Sequence, residues 1–249
     1  MRAPGYANIF DQRGDSYQRA MSEQPSARAA EFQTLIERAA IEPGMFVIDL
    51  PSGGAYLGRY LPDGVRCVHV ETSRTFFDAA RATGREVLFA ERPARLTIAD
   101  ASVDRVLSLA GLHHEDDRLP IYREVRRVLR PGGRFLIGEV LEGSAVARFL
   151  DGFVDAHGSG HVGSYLAARE GELLREAGFE VDGFEVAPTP WRARTYAELA
   201  RFVRDLFSVH RATEVQVQGA LCDQIGLREG PLGVELAWEL VFFSCRRVA

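Results

Sequence analysis

Short apolar runs alternate with amphipathic segments over residues 45–140, and this alternation constrains the fold more than any other feature of the chain. Five runs have the length and composition of buried strands; in order they are MFVIDL, RCVHVE, EVLFA, DRVLSLA and RFLIGEV. Two of the segments between them, residues 75–81 and 119–129, show the helical spacing of apolar side chains. Parallel strands require crossover connections of this kind, so the sequence predicts an open, mostly parallel α/β sheet.

The flanking regions predict further helices and two further strands. Residues 1–15 are polar and contain glycine, which indicates a flexible arm or lid, and residues 26–40 predict a helix. Farther along, residues 165–177 predict a helix, FEVDGFEVA predicts a sixth strand and VELAWELVFFSC predicts one long final strand. Residues 191–230 form an insertion with two predicted helices, which we expect to pack over the sheet edge, to cover a substrate or to form a dimer surface.

Composition excludes several classes of protein. A net charge of -5 and a pI near 5.8 argue against binding to nucleic acid or to an anionic membrane. All 30 basic residues are Arg, so no lysine can form a Schiff base or act as a base. The three Cys lack the spacing of a disulfide framework or a zinc site. We expect a cytoplasmic protein, because no apolar run is long enough to cross a bilayer and no secretory signal follows Arg2.

Residues 47–61, VIDLPSGGAYLGRYL, predict a strand, a tight turn and a helix, an arrangement that often holds a ligand. Asp49 ends the strand, Gly53 and Gly54 allow close approach to the backbone, and Glu71 ends the next strand. A carboxylate at that second position can accept hydrogen bonds from both hydroxyls of a ribose. The spacing G-x-G-x-x-G of dinucleotide sites is absent, and the charge of Asp49 suits an ammonium group better than a phosphate. The ligand that fits is S-adenosylmethionine; the alternative is a structural turn that binds nothing.

Residues 100–140 resemble the class I S-adenosylmethionine-dependent methyltransferases, in particular the branch that acts on small molecules. Three motifs carry the resemblance: Asp-Arg-Val at residues 104–106, Gly-Leu-His-His at residues 111–114 and RVLRPGG at residues 127–133. The resemblance extends over residues 41–140 and more loosely over 171–186. It implies a single domain with a Rossmann-like, doubly wound seven-stranded sheet whose last strand is antiparallel.

Within that domain, residues 1–40 are the N-terminal arm and helix, 41–142 the cofactor-binding half and 143–249 the substrate side. The resemblance also implies cofactor contacts from the strand ends. Asp49, Pro51, Ser52, Gly53 and Gly54 would line the methionine end of the cofactor. The remaining contacts are Glu71 with the ribose hydroxyls, Thr72 and Glu91 with the adenine, Leu109 and Ala110 from the fourth strand, and Tyr6, Arg13 or Tyr17 closing over the cofactor from the arm.

One position departs from the family pattern. Pro51 stands where the family has the first glycine of its loop, which removes φ freedom there, and we interpret this as a variant loop.

Histidines are the candidate catalytic groups. His113 and His114 follow the fourth predicted strand, where one of them could take a proton from the acceptor; the alternative is that they only shape the loop. His157 and His161 have three possible roles: they belong to a solvated loop, they contact the substrate, or they bind a metal. No further ligand-type residues accompany them in a metal-binding pattern, so the prediction includes no metal.

Phe153 and Trp191 are further candidates for the substrate pocket. The sequence thus predicts transfer of a methyl group from S-adenosylmethionine to a small molecule by in-line displacement, with no nucleic-acid or membrane partner. Whether the chain forms a homodimer is left open. Two alternatives stay open: a methyltransferase-fold enzyme that uses the cofactor for a cyclase or pericyclase reaction, and a non-catalytic partner subunit of the same fold.

Overall fold

A computed structural model describes residues 5–158, 161, 163–231 and 233–248. These residues contain ten strands and nine α-helices. The strands are β1 Phe46–Asp49, β2 Arg66–Glu71, β3 Val87–Phe89, β4 Val103–Leu109, β5 Leu129–Glu139, β6 Phe179–Pro188, β7 Trp191–Ala193, β8 Leu227–Gly230, β9 Gly233–Leu236 and β10 Glu239–Arg247. The α-helices are α1 Tyr6–Glu23, α2 Ala29–Ala39, α3 Arg74–Ala82, α4 Leu119–Val128, α5 Ala145–Phe149, α6 Asp155–His157, α7 Glu170–Glu176, α8 Tyr196–Leu206 and α9 Glu214–Gln224. A π-helical turn, Leu150–Val154, joins α5 to α6.

The main sheet has seven strands in the order β3-β2-β1-β4-β5-β10-β6. β1 pairs in parallel with β2 and β4, and β10 pairs antiparallel with β5 and β6. Between β1 and its neighbours β2 and β4 the strand order reverses, which is where open α/β sheets bind ligands at their carboxyl ends. The predicted seven-stranded sheet with an antiparallel last strand is confirmed.

Alternate side chains of each strand enter opposite layers of the core. Val47 and Leu107 face the layer that contains α2, α8 and α9, whereas Ile48 and Val106 face the layer that contains α4 and α7. All four side chains are buried, which explains why these strands read as continuous apolar runs.

The N-terminal region is helical, contrary to the predicted arm. The structure places α1 where a flexible segment was expected from residues 1–15, of which residues 1–4 lie outside the described part. Gly14 lies inside this helix, where a Cβ would stand 2.5 Å from Cγ2 of Thr75. This glycine therefore serves close packing against α3 rather than flexibility.

Two other predictions were wrong in detail. Between residues 50 and 65, all of which the structure describes, the predicted helix is reduced to one 3₁₀ turn, Tyr56–Arg59, preceded by Ala55 in the left-handed conformation. The predicted long final strand divides into β9 and β10, and β9 pairs with β7 and β8 in a second, three-stranded sheet. The insertion at residues 191–230 thus contributes strands as well as helices. No helix in the described residues is long and apolar enough to span a bilayer, and the cytoplasmic location stays a prediction.

Candidate active site

The loop after β1 folds back against the end of β2. Gly53 and Gly54 have φ angles of 57° and 97°, which place both in the region that glycine adopts without steric cost. The backbone N–H of Ser52 donates to the carbonyl of Val70, 3.0 Å away. Pro51, the departure from the family pattern, packs where a side chain on Gly111 would otherwise stand, since a Cβ there would lie 2.5 Å from its Cγ. Pro51 and Gly111 are therefore a complementary pair that connects this loop to the end of β4.

Glu71 is fully buried at the carboxyl end of β2. Its Oε1 accepts from the Ser52 hydroxyl at 2.8 Å and from the backbone N–H of Gly54 at 3.1 Å, and the Tyr6 hydroxyl lies 3.5 Å from its Oε2. Burial raises the pKa of Glu71 to about 7, although these hydrogen bonds oppose the shift. A carboxyl group that is buried although burial disfavours its ionised form is a candidate for a ligand contact.

Asp49 lies beneath the loop and faces away from the cavity described below. Its Oδ2 is 2.8 Å from Nδ1 of His69, and both side chains are buried. Burial raises the pKa of Asp49, and the bond to His69 opposes the shift. His69 is therefore the buried partner of this acid.

α1 covers the carboxyl edge of the sheet at β1 and β2. A Cβ on Gly53 would stand 3.5 Å from the Tyr17 hydroxyl, and the Tyr56 hydroxyl donates to the amide oxygen of Gln18. Asp11 accepts from the Ser73 hydroxyl at 2.8 Å and lies 3.3 Å from a backbone N–H of α3. The helix thus contacts the loop and the strand end that the sequence assigns to a cofactor.

An enclosed cavity of about 70 Å³ lies between α1, the end of β4 and the insertion. Binding sites for drug-sized ligands occupy about 300–1,000 Å³, so this space is too small for a nucleoside cofactor. Because α1 forms one wall of the cavity, its displacement would enlarge it. The arrangement is consistent with a lid, one of the two roles predicted for the N-terminal residues.

Three histidines form one end of the cavity. His113 and His114 lie on a 3₁₀ turn after β4, and His161 approaches them from the segment after α6, with ring centroids 5.7 Å and 5.5 Å from theirs. Nδ1 of His113 is 2.8 Å from Oε2 of Glu139, at the end of β5. Oε1 of Glu139 accepts from the backbone N–H groups of residues 111 and 112 at 2.6 Å each. Glu139 therefore fixes both the turn and the orientation of the His113 ring.

The electrostatic environment keeps two of these rings neutral. Burial lowers the pKa of His114 well below its usual value, and the neighbouring histidines and Arg13 add to the shift. Burial also lowers the pKa of His161, with Asp151 opposing it. Burial would raise the pKa of Glu139, but His113 and backbone N–H groups outweigh it, so this pKa is lowered. The cavity end therefore combines two neutral imidazoles, those of His114 and His161, with an ionised carboxylate beside His113.

Aromatic side chains form the opposite wall. Trp191 and Trp238 stack with ring centroids 4.0 Å apart, and the indole N–H of Trp191 donates to Oε1 of Glu31 at 2.7 Å. Arg28 forms a buried ion pair with Glu31, 2.6 Å between NH2 and Oε2, and donates to the Tyr17 hydroxyl at 2.6 Å. Burial raises the pKa of Glu31 despite this pair. The wall offers a flat apolar surface with a fixed polar edge.

The structure brings together about half of the predicted site residues. Those that line the cavity are Tyr6, Arg13, Tyr17, Pro51, Gly53, Leu109, Ala110, His113, His114, His161 and Trp191. Those that do not line it are Asp49, Ser52, Gly54, Glu71, Thr72, Glu91, Phe153 and His157. Ser52 and Gly54 contact Glu71, whereas Glu91 is exposed beyond β3. His157 stacks on Phe153, 4.4 Å between centroids, and Nδ1 of His157 lies 2.9 Å from the carbonyl of Phe153.

Sequence reasoning missed several residues of the site. Glu139 is the penultimate residue of the fifth predicted strand, whereas Glu71 ends the second, and its position near a strand end was a usable signal. Arg28, Glu31 and Trp238 carried no such signal, because they reach the cavity only through the packing of α2 and the insertion.

Part of the chain is similar to known methyltransferases. A family model described as a methyltransferase domain matches residues 48–137. The methyltransferase GfsG of Streptomyces halstedii is 33% identical over 130 residues, 47% of this chain and 46% of that protein. The uncharacterised protein YafE of Escherichia coli is 30% identical over 135 residues, 51% of this chain and 65% of that protein. The 27-O-demethylrifamycin SV methyltransferase of Amycolatopsis mediterranei is 50% identical over 46 residues, 18% of this chain and 17% of that protein. The chain spans less than two thirds of the length of each of these relatives.

Solved structures share the fold at low identity. The [4+2]-cyclase SpnF superposes with a TM-score of 0.65 at 17% identity and covers 100% of this chain and 98% of its own. Geranyl diphosphate methyltransferase in complex with S-adenosylmethionine superposes with a TM-score of 0.60 at 14% identity, over 93% and 90% of the two chains. Likeness at these identities establishes the seven-stranded fold alone. The matched domain and the named methyltransferases among the relatives support a methyltransferase that uses S-adenosylmethionine.

Proposed function

We propose that this protein transfers a methyl group from S-adenosylmethionine to a small-molecule acceptor that binds between the three histidines and the aromatic wall. The observation that carries the proposal is Glu71, a buried carboxylate at the carboxyl end of β2 beside a glycine turn, with the cavity adjacent. Named methyltransferases among the relatives support the reaction class, and the enclosed cavity supports a small acceptor rather than a polymer.

The proposed cofactor position follows from the ends of the strands. The ribose hydroxyls would replace the contacts of Glu71 with Tyr6, and the methionine end would lie over Pro51 and Gly53 toward Leu109 and Ala110. This position requires α1 to move, because Tyr6 and Tyr17 now lie over the loop. The methyl group would then face the cavity.

In the proposed reaction the protein contributes more by positioning the two reactants than by acid–base catalysis. The sulfonium is already a good leaving group, so the protein supplies proximity and orientation. An acceptor hydroxyl must also lose its proton, and a neutral imidazole at the histidine end is placed to take it. His113 is the best-oriented candidate, since Glu139 holds its Nδ1 and would stabilise the imidazolium that forms. The aromatic wall of Trp191 and Trp238 would hold an apolar or planar part of the acceptor.

The first test is a calorimetric titration with S-adenosylmethionine, S-adenosylhomocysteine and NAD in turn. The proposal expects micromolar binding of the first two ligands and none of the third. The control is Glu37→Gln, an exposed glutamate on α2, which should bind as the unmodified protein does. Absence of binding of both sulfur compounds would refute the proposed cofactor site and would favour a non-catalytic partner subunit.

Turnover separates the remaining alternatives. The protein is incubated with methyl-labelled cofactor and a panel of hydroxyl-bearing aromatic and polyketide-like acceptors, and labelled product and S-adenosylhomocysteine are measured together. Methyl transfer predicts equal amounts of both. Tight cofactor binding with isomerised, unlabelled product would instead favour the cyclase or pericyclase alternative.

A further inference from the structure

The three cavity histidines also form a group that could bind a metal. One nitrogen from each of His113, His114 and His161 lies within 4.8 Å of the others, and all three side chains are buried. Within the described part of the chain this is the one such group of three or more ligand-type side chains. The sequence did not predict it, because the third histidine lies far along the chain from the other two.

The hydrogen bonds around the rings determine which nitrogens face one another. Nδ1 of His113 is held by Glu139 at 2.8 Å, and Nδ1 of His161 lies 3.3 Å from the Tyr165 hydroxyl and 3.8 Å from Oδ1 of Asp151. Nε2 of His113 and of His161 therefore remain for a ligand bond. A carboxylate behind a histidine is the arrangement that orients ligating imidazoles in metal sites. His113 has this arrangement, and His161 has a carboxylate 3.8 Å from its Nδ1.

A second, independent observation at His114 points to a ligand at the cluster. Its Nδ1 is buried, and among the described residues no group lies within hydrogen-bonding distance of it. A buried polar nitrogen without a partner destabilises the fold, so native proteins rarely leave one. His114 lines the cavity, and a ligand bound there could satisfy this nitrogen.

The local charges permit a dication. Glu139, Asp151 and Asp155 surround the cluster, and Asp155 accepts from the backbone N–H of His161 at 2.7 Å. Arg13 opposes them, because its positive charge also acts on this end of the cavity. Three carboxylates against one guanidinium leave the surroundings net negative before an ion binds.

We propose that His113, His114 and His161 bind a divalent first-row transition ion, with Zn²⁺ the best fit, and that its remaining coordination position faces the cavity. Three imidazoles with one open position are a known set for such ions. The three nitrogens lie within 4.8 Å of one another. Zn–N bonds of 2.0–2.1 Å place tetrahedral ligand nitrogens about 3.4 Å apart, so the nitrogens need to approach by up to about 1.4 Å. Side-chain rotation covers that distance.

The inference goes beyond the proposed methyl transfer and is tested without it. A bound ion would fill the nitrogens that otherwise take the acceptor's proton, and it would polarise an acceptor oxygen in the open position instead. The acceptor class that fits such an ion carries an oxygen donor: a phenol, an enol or a carboxylate.

Cobalt supplies a direct spectroscopic test. Protein made without a polyhistidine tag and stripped with a chelator is titrated with Co²⁺ and followed by visible d–d absorption. Zn²⁺ is then added as competitor, with calorimetry for stoichiometry. We expect one Co²⁺ per chain, a spectrum typical of four- or five-coordinate nitrogen ligation and displacement by Zn²⁺. Failure of the unmodified protein to bind one equivalent saturably would overturn the proposal, while its titration with S-adenosylhomocysteine would be unaffected.

Variants identify the ligands. His161→Gln and His114→Gln should each weaken Co²⁺ binding more than about tenfold and alter the spectrum. The matched control is His210→Gln, an exposed histidine outside the cavity, which should leave both unchanged. Circular dichroism and the melting temperature show which variants fold. If each folded variant of the pair binds Co²⁺ as tightly as the unmodified protein, the ion lies elsewhere and the assignment is wrong.

Discussion

Replacing Glu71 by glutamine should stabilise the protein at neutral and alkaline pH. Burial raises the pKa of Glu71 from 4.5 to about 7. Above pH 7 the folded protein therefore contains a buried carboxylate that ionises more easily in the unfolded chain. The amide is neutral at every pH and avoids this cost, and it fits the site, because both strong hydrogen bonds go to the single atom Oε1. The other terminal atom lies 3.5 Å from the Tyr6 hydroxyl, which can accept from an amide.

The size of the effect follows from proton linkage. Between pH 4.5 and about 7 the folded protein retains a proton on Glu71 that the unfolded chain has released. Stability from this group is therefore fully present below pH 4.5 and is lost as the pH rises through about 7. A shift of this size corresponds to about 3 kcal/mol of unfolding free energy. Glu71→Gln should exceed the unmodified protein by about that amount at pH 8 and match it near pH 4.5.

Urea unfolding of both proteins at pH 5, 6, 7 and 8 measures the difference directly. Glu37→Gln, the exposed control, should stay within about 0.5 kcal/mol of the unmodified protein throughout. A difference that is constant with pH would refute the reasoning, because only the titration of Glu71 makes it depend on pH. A stabilised variant that binds the cofactor poorly would show that the carboxylate is retained for ligand binding at a cost in stability.

Three further predictions follow from the same contacts. Glu71→Ala should weaken S-adenosylmethionine binding more than about tenfold in calorimetry, since the ribose hydroxyls lose their acceptor; unchanged affinity would place the ribose elsewhere. Arg28→Ala should lower the unfolding free energy by about 3–5 kcal/mol, because it leaves the buried Glu31 without its partner, whereas Arg38→Ala breaks an exposed pair and should cost less than about 1 kcal/mol. S-adenosylhomocysteine at one hundred times its dissociation constant should add about 2.7 kcal/mol to the unfolding free energy, and Glu71→Ala should lose this gain at the same concentration.

The central strands could be predicted from sequence because their information is local. β2 has the predicted bounds, residues 66–71, and its last four residues are buried. The divided final strand could not be predicted, because the turn depends on packing. The backbone N–H of Thr189 donates to the carbonyl of Trp238, whose ring stacks on Trp191. These contacts redirect the chain between two sheets without a glycine or proline to mark the turn.

Glu71 could be predicted as a site residue from local sequence, whereas the histidine cluster could not, because it depends on contacts between distant segments. A carboxylate at the end of a parallel strand is recognisable from its position, as Glu71 was. The cluster forms because the backbone N–H of Ser164 donates to the carbonyl of His113 at 2.7 Å, which fixes the segment of His161 against the end of β4. No local spacing reports a contact between segments this far apart in the chain.

Residues 1–15 were predicted as a flexible segment because the helix α1 depends on contacts with other elements of the fold. Its hydroxyl and carboxylate contacts go to other elements: Ser16 donates to the carbonyl of Asp205 at 2.6 Å, and Asp11 accepts from Ser73. If the cofactor displaces this helix, the contacts that fix it oppose binding. Asp11→Ala removes the acceptor of two hydrogen bonds at an exposed site, worth about 1 kcal/mol together, without touching the cavity.

Asp11→Ala should therefore strengthen the binding of S-adenosylhomocysteine by up to about fivefold, because a smaller free energy is needed to move α1 away from the loop. Calorimetry measures the affinity, and amide hydrogen exchange should show faster exchange in α1 of the ligand-free variant. Asp15→Ala, at an exposed position on the same helix, is the control and should change neither quantity. Weaker binding in Asp11→Ala would mean that α1 closes again over the bound cofactor through Asp11, and that the helix completes the site instead of competing with the ligand.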